Sequence, residues 1–161
     1  MEISELLLLH YTMNTKEITY NLCKTYVDKR LETIEEIISS NQKALQSETK
    51  SSAGDKHETA RAMLQLEMEK AGQQLASISQ MRLILAKIDL KNSSKNVHLG
   101  SLVSTNKATY FLSISAGQFM VANKPIFAIS LSSPIGKLLL GKKENEEFVF
   151  NGQLFKITSI E

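Results

Sequence analysis

The sequence predicts an α+β protein in which an antiparallel helical hairpin, a coiled coil, precedes a small antiparallel sheet packed on one helix. Up to about residue 90, apolar side chains recur at intervals of three and four, which is typical of paired helices. Short strand-like runs separated by turn signals follow. A segment without apolar residues, KNSSKN at 91–96, is typical of a linker. We therefore expect an N-terminal extension over 1–12, the hairpin over 13–90 and a C-terminal domain over 97–161.

The hairpin is predicted from two apolar stripes that can pack against each other. Because steps of three and four put side chains on one face of a helix, each stripe forms a seam. Residues 47–54 contain Ser, Thr, Lys and Gly, which favours a turn between the helices. Two helices of about 30 residues would form a narrow arm roughly 45 Å long. The stripes are Val27, Leu31, Ile34, Ile38, Asn41 and Leu45, and then Leu64, Met68, Ala71, Leu75, Ile78, Leu85 and Ile88, with Arg82 as an interruption.

The C-terminal domain is predicted to contain one short helix among its strands. Ser133 is a suitable N-cap, and Pro134 at the first helical position loses no hydrogen bond. Gly141 can end this helix. Asn151-Gly152 predicts a two-residue hairpin, since both positions of a type I′ turn need a positive φ. The strand-like runs are Gly100 to Ser104, Ala108 to Ser115, Phe119 to Ala122, Phe148 to Phe150 and Leu154 to Ile160.

Composition limits the class of protein. The 161 residues are 42% hydrophobic and 22% charged, which is typical of a soluble globular chain. No apolar run reaches the roughly 20 residues that span a bilayer, so we expect no membrane partner. Leu6 to Leu9 lack the flanking features of a signal peptide, and Met13 is an alternative start. With Cys23 as its one cysteine the chain can form no intrachain disulfide, which favours the cytoplasm.

The distribution of charge argues against direct reading of DNA sequence. The net charge is +2, and residues 91–161 hold 8 lysines and 4 glutamates. These lysines are dispersed and do not alternate with aromatic residues. Proteins that read nucleic-acid sequence usually present a clustered basic face. We therefore interpret the charges as a solvated surface and expect no sequence-specific DNA binding.

Two acidic residues lie where the second helix is expected to begin. Asp55 and Glu58 are three residues apart and would share one face of a helix. Their oxygens could share one Mg²⁺, although this ion usually needs further ligands. The same spacing is also that of a capping box, and acids in a first turn interact favourably with the helix dipole. From the spacing alone, capping is the simpler interpretation.

Two motifs give the chain a resemblance to a known family. Gly54-Asp55-Lys56-His57-Glu58 resembles the Gly-Asp-Leu-Lys-Glu tip of the bacterial Gre transcript-cleavage factors, with both acids at the same spacing. Residues 129–142 (ISLSSPIGKLLLGK) resemble their C-terminal signature Ile-Ser-x-x-Ser-Pro-x-x-x-x-Leu-x-Gly-Lys. The order of the motifs and the two-part layout also agree, so the resemblance covers nearly everything after Met13.

The resemblance implies an accessory factor of RNA polymerase and not a self-contained enzyme. In this family the hairpin enters the secondary channel of the polymerase, while the C-terminal domain, which is FKBP-like, docks at its mouth. Carried over, Asp55 and Glu58 would help the polymerase hold a second Mg²⁺ and position water for cleavage of backtracked RNA. Neither Mg²⁺ nor the RNA 3′ end would be bound outside the complex. Ser132, Ser133 and Pro134 would form the polymerase-docking loop.

Departures from the family pattern keep two other functions open. Thr59-Ala60-Arg61-Ala62 follows the second acid, where the family commonly has Asn-Ala-Glu-Tyr, so a positive charge replaces a later acid. Ser132 stands where Asp or Asn is common. These differences favour, as an alternative, a regulator that occupies the channel and competes with true Gre factors without activating cleavage. An FKBP-like prolyl isomerase or chaperone module is a third possibility, although 6% aromatic residues and no Trp leave little to line its pocket.

Overall fold

The computed structural model describes the backbone of residues 14–50 and 54–161, and the side chains of these residues except 48–50 and 55. The extension predicted over residues 1–12, the alternative start at Met13 and residues 51–53 of the predicted turn lie outside the described residues. Residues 47–50, which were predicted to belong to the turn, are helical instead. The chain is α+β, as predicted. Its elements in order are α1 (Thr15–Lys50), α2 (Asp55–Ala86), β1 (Leu102–Thr105), β2 (Thr109–Ser113), β3 (Gly117–Val121), β4 (Lys124–Ser130), α3 (Pro134–Leu139), β5 (Glu147–Phe150) and β6 (Gln153–Ile160).

The described residues form two compact units. The hairpin unit is Tyr26–Leu83, and the sheet unit contains residues 14–25 together with Ile84–Glu161. The domain limits expected from the sequence stay a prediction. In the described part of the chain, no helix is both long and apolar enough to cross a membrane.

The hairpin unit is held by the seam that the sequence predicts. Val27, Ile34 and Asn41 are buried at intervals of seven residues along α1, and Ala71 and Ile78 are buried at the same interval along α2. A seven-residue repeat keeps one stripe of each helix facing its partner. Asn41 is the exception to apolar packing, because its side-chain Nδ2 is buried without a hydrogen-bond partner among the described residues.

The sheet unit contains a six-stranded sheet in the order β3-β4-β2-β1-β6-β5. Four of the five pairings are antiparallel, and the pairing of β2 with β4 is parallel. The expectation of an antiparallel sheet did not include this pairing. The parallel pairing was missed because no strand was predicted over β4. Since β3 lies at the edge of the sheet beyond β4, β4 lies beside β2.

Both faces of the sheet are covered in its central strands. One face and α3 form the main core, which contains Val97, Val103, Tyr110, Leu112, Ile135, Leu139, Phe148, Phe155 and Ile157. On the other face Phe111 is fully buried, and the Ser113 hydroxyl lies 3.7 Å from the Cys23 thiol of α1. The hydroxyl of Tyr20 donates to the backbone oxygen of Leu85 at 3.1 Å, which ties the start of α1 to the end of α2 within this unit.

Two-residue turns define the strand hairpins. Asn151 and Gly152 have φ values of 49° and 73°, which confirms the predicted turn between β5 and β6. Ala122 and Asn123, with φ values of 50° and 61°, form a similar turn between β3 and β4. Alanine is a poor residue for a positive φ. The second turn therefore carried no usable sequence signal, and β4 was missed with it.

Candidate functional site

The two predicted tip acids lie in the first turn of α2. The backbone oxygen of Gly54 accepts hydrogen bonds from the N–H groups of His57 at 2.9 Å and Glu58 at 3.3 Å. Gly54 is thus the N-cap residue, and Asp55 and Glu58 are the first and fourth residues of the helix. A capping box needs its partners at the N-cap and the third helical position. The acids lie one residue beyond that register, so a capping box does not account for their spacing.

The donor set at these positions suits a divalent cation but does not complete a site. Glu58 is exposed, and the side chain of Asp55 lies outside the described ones. Carboxylate oxygens are the ligands that Mg²⁺ prefers, yet it needs a near-octahedral set of them. Among the described residues, no group of three or more His, Cys, Asp or Glu is placed to hold a metal ion. The first turn of α2 therefore presents one described, exposed carboxylate, that of Glu58, and the described residues complete no metal site.

Arg61 lies one turn further along α2 and is exposed. Because it follows Glu58 by three residues, the two positions lie on the same side of the helix. A guanidinium there can pair with the carboxylate that would otherwise be offered to a cation. Arg61, which departs from the family pattern, thus lies one helical turn from Glu58.

The predicted docking residues form a turn tied together by serine hydroxyls. The Ser130 hydroxyl lies 2.8 Å from that of Ser132 and accepts from the Ser132 N–H at 3.1 Å. Ser133 donates its hydroxyl to the backbone oxygen of Ser130 at 2.6 Å and accepts from the Gly136 N–H at 3.1 Å. Ser133 is the N-cap of α3 and Pro134 is its first residue, as predicted. These bonds fix the turn before any partner binds.

The three predicted docking residues differ in exposure. Ser132 and Pro134 are exposed, whereas Ser133 is half-buried and turned into the loop. Ser133 therefore supports the loop, and Ser132 and Pro134 are the ones available for contact. The sequence analysis missed Ser130, although its place three residues before Ser133 in the signature was a usable signal.

Gly136 is required by close approach of the backbone. A Cβ atom at this position would lie 2.1 Å from the backbone oxygen of Ser130 and 2.8 Å from the Ser133 hydroxyl. No side chain fits such a space. Gly136, at a variable position of the signature, thus lets the first turn of α3 pack directly on the end of β4.

Comparisons with known proteins give little beyond this geometry. No protein-family model matches the chain, and no curated protein matches it. It is similar to a solved structure described as that of the transcription factor Gfh1, with 18% sequence identity and a TM-score of 0.33 over 88% of this chain and 92% of that chain. A similarity at this TM-score carries no argument about fold or function.

Proposed function

We propose that this protein is a Gre-type transcription elongation factor that binds bacterial RNA polymerase in the cytoplasm and stimulates cleavage of backtracked RNA. The observation that carries the proposal is the position of Asp55 and Glu58 in the first turn of α2, at the turn of the hairpin. The docking signature at residues 129–142 supports it independently, because it lies in a different unit of the chain.

The proposed mechanism divides the work between the two units. The sheet unit binds at the entrance of the secondary channel through Ser132 and Pro134, and the hairpin unit enters the channel. Asp55 and Glu58 supply carboxylate oxygens to the polymerase active centre and orient a water molecule toward the RNA phosphate. When bound, Mg²⁺ would stabilise the attacking and leaving oxygens of the phosphodiester. The chain itself would carry out no complete reaction, so it is an accessory factor and not an enzyme.

A non-cleaving regulator is the second candidate, and Arg61 is the observation that favours it. An exposed cation one turn after Glu58 reduces the negative charge that the first turn of α2 can offer. Such a protein would still occupy the channel and exclude active cleavage factors. Both candidates need the same binding surfaces, so binding alone does not separate them.

The burial of aromatic residues in the core disfavours an FKBP-like prolyl isomerase. Tyr110, Phe148 and Phe155 are buried in the core between the sheet and α3. The rings of Phe148 and Phe155 stack with centroids 5.1 Å apart. Aromatic side chains that would line a substrate pocket are thus used for core packing.

A cleavage assay separates the candidates. Backtracked elongation complexes assembled with the cognate polymerase are incubated with the protein over a range of Mg²⁺ concentrations, and release of short 3′ RNA fragments is measured. A cleavage factor accelerates release. A non-cleaving regulator binds but leaves release unchanged, and it slows release by an active Gre factor added to the same complexes. Failure to bind the polymerase would refute both candidates.

A further inference from the structure

One flank of the hairpin unit carries a groove that the proposed function leaves unused. It has a volume of about 360 Å³. Six of its wall residues come from α1, between Tyr26 and Ile37, and Gln74 comes from α2. All of these residues belong to the hairpin unit.

The end of the groove that is formed by Ile34 and Ile37 of α1 is apolar. Ile34 is only 6% exposed and forms part of the floor, whereas Ile37 is 41% exposed beside it. A branched aliphatic side chain that is two-fifths exposed gains free energy when a partner covers it. This end of the groove is therefore suited to an apolar side chain.

The other end of the groove carries two cations, and one of them is held in place. The Arg30 guanidinium lies 5.4 Å from the centre of the Tyr26 ring and donates to the Tyr26 hydroxyl at 3.0 Å. These contacts reduce the freedom that Arg30 would lose on binding. Lys29 lies beside it in the wall. Arg30 keeps further N–H donors in a planar arrangement that suits a carboxylate.

The charge of the groove selects the class of partner. None of its wall residues in the described part of the chain is acidic. A second groove on α1 is lined instead by Glu32, Glu35, Glu36, Ser39, Ser40 and Lys43. Two sides of α1 thus present opposite net charges in two different grooves. An acidic partner would be attracted to the first groove and repelled by the second.

We propose that the groove between Tyr26 and Ile37 binds an acidic, amphipathic segment of RNA polymerase. This inference rests on the proposed function and adds a second contact surface to it. Arg30 and Ile37 are seven residues apart, which is about 10 Å along the helix. The partner segment would place an apolar side chain over Ile34 and Ile37, and a carboxylate on Arg30 about 10 Å away. Tyrosine and arginine are also the residue types that are enriched at the energetic centres of interfaces.

RNA is the other polyanion to consider, and the groove suits it less well. Base stacking needs an open aromatic face. The Tyr26 ring is half-buried and has the Arg30 guanidinium over it. The isoleucine end also offers nothing to a phosphate backbone. The groove therefore favours a protein segment.

The test measures affinity of the full chain for cognate core polymerase that contains no nucleic acid. Arg30→Glu and Ile37→Glu are compared with wild type and with Lys43→Glu, which changes a charge on α1 in the other groove. We expect each groove variant to weaken binding about 10-fold or more, and Lys43→Glu to change it less than about threefold. Added salt should weaken the wild type more than Arg30→Glu, because salt screens the ion pair that this variant lacks. Circular dichroism melts verify that each variant keeps its helices.

Three other outcomes would each contradict the inference, and they differ in what they imply for the proposed function. If the wild type binds core polymerase and the groove variants bind equally well, the groove is not a contact surface, while the proposed function stands. If the variants lose affinity only for polymerase complexes that contain RNA, the groove binds RNA and not a polymerase segment. If the wild type does not bind polymerase at all, the proposed function and the inference fail together.

Discussion

The thiol of Cys23 on α1 lies 3.7 Å from the hydroxyl of Ser113 on β2, and both side chains are buried. This contact joins the start of the first helix to the sheet, between residues that are 90 positions apart in the chain. Burial raises the pKa of the Cys23 thiol to about 11, and the hydrogen bond with Ser113 opposes this shift. A neutral, buried thiol is a packing group and not a nucleophile.

Cys23 should therefore be unreactive in the folded protein and should make stability depend on alkaline pH. The folded state keeps the proton up to about pH 11, whereas the unfolded chain releases it above its ordinary value of 9.0. Stability is thus lost as pH rises between these values, by roughly 2 kcal/mol. Native protein should not react with a thiol reagent at pH 8 until it is denatured. In urea titrations, Cys23→Ala should show a shallower loss of stability from pH 9 to 11; an equal slope would contradict the assignment.

Asn41 is expected to weaken the hairpin unit. Its Nδ2 is buried and unpartnered among the described residues, in a seam position that elsewhere holds apolar residues. A buried donor without a partner costs about 1–3 kcal/mol. Asn41→Leu should therefore stabilise the hairpin by about this amount, measured as slower hydrogen exchange of nearby α1 amides and a higher melting temperature. Gln42→Leu, at the adjacent exposed position, is the matched control and should change little.

Two glycines should respond in opposite directions to the same substitution. Gly136→Ala places a methyl group 2.1 Å from the Ser130 backbone oxygen, so it should destabilise the sheet unit by roughly 3 kcal/mol or more. Gly72 lies within α2, where a methyl group would meet nothing within 4 Å beyond its own stretch of helix. Gly72→Ala should instead stabilise α2 by about 1 kcal/mol. Urea denaturation followed by circular dichroism measures both; a stable Gly136→Ala protein would show that β4 and α3 can separate.

Much of the fold was predictable because it follows local patterns. The sequence pattern predicts the burial of Val27 and Ile34, which are seven residues apart. It also predicts the turn at Asn151-Gly152. The turn at Ala122 and Asn123 was not predictable, since its positive φ values depend on the pairing of β3 with β4. The groove beside Arg30 was missed for a related reason. Seam patterns identify the residues that face inward, whereas the groove also needs residues beside the seam of α1 and Gln74 of α2, which only the packed hairpin brings together.

In the predicted docking loop, substitutions can distinguish residues that would contact the polymerase from a residue that stabilises the loop. Ser132 and Pro134 are exposed, while Ser133 bonds to Ser130 and Gly136 within the loop. Ser132→Ala combined with Pro134→Ala should weaken polymerase binding with little change in melting temperature. Ser133→Ala should instead cost about 1 kcal/mol of stability, because α3 loses its N-cap. If the exposed pair can be changed without loss of affinity in a pull-down with cognate polymerase, the loop is not part of the interface.

The tip acids give the most direct test of the proposed mechanism. Asp55→Ala and Glu58→Ala should each abolish stimulated RNA cleavage while leaving polymerase affinity within about threefold of wild type, because a charged ligand is lost and the binding surfaces are unchanged. Glu69→Ala, at an exposed position further along α2, is the matched control and should cleave normally. A structural role predicts a different result: loss of up to about 1 kcal/mol of helix stability from the dipole interaction, with cleavage preserved.

Arg61→Glu tests the second candidate in the same assay. If wild type binds without stimulating cleavage and Arg61→Glu restores it, the positive charge beside Glu58 is what makes this chain a non-cleaving regulator.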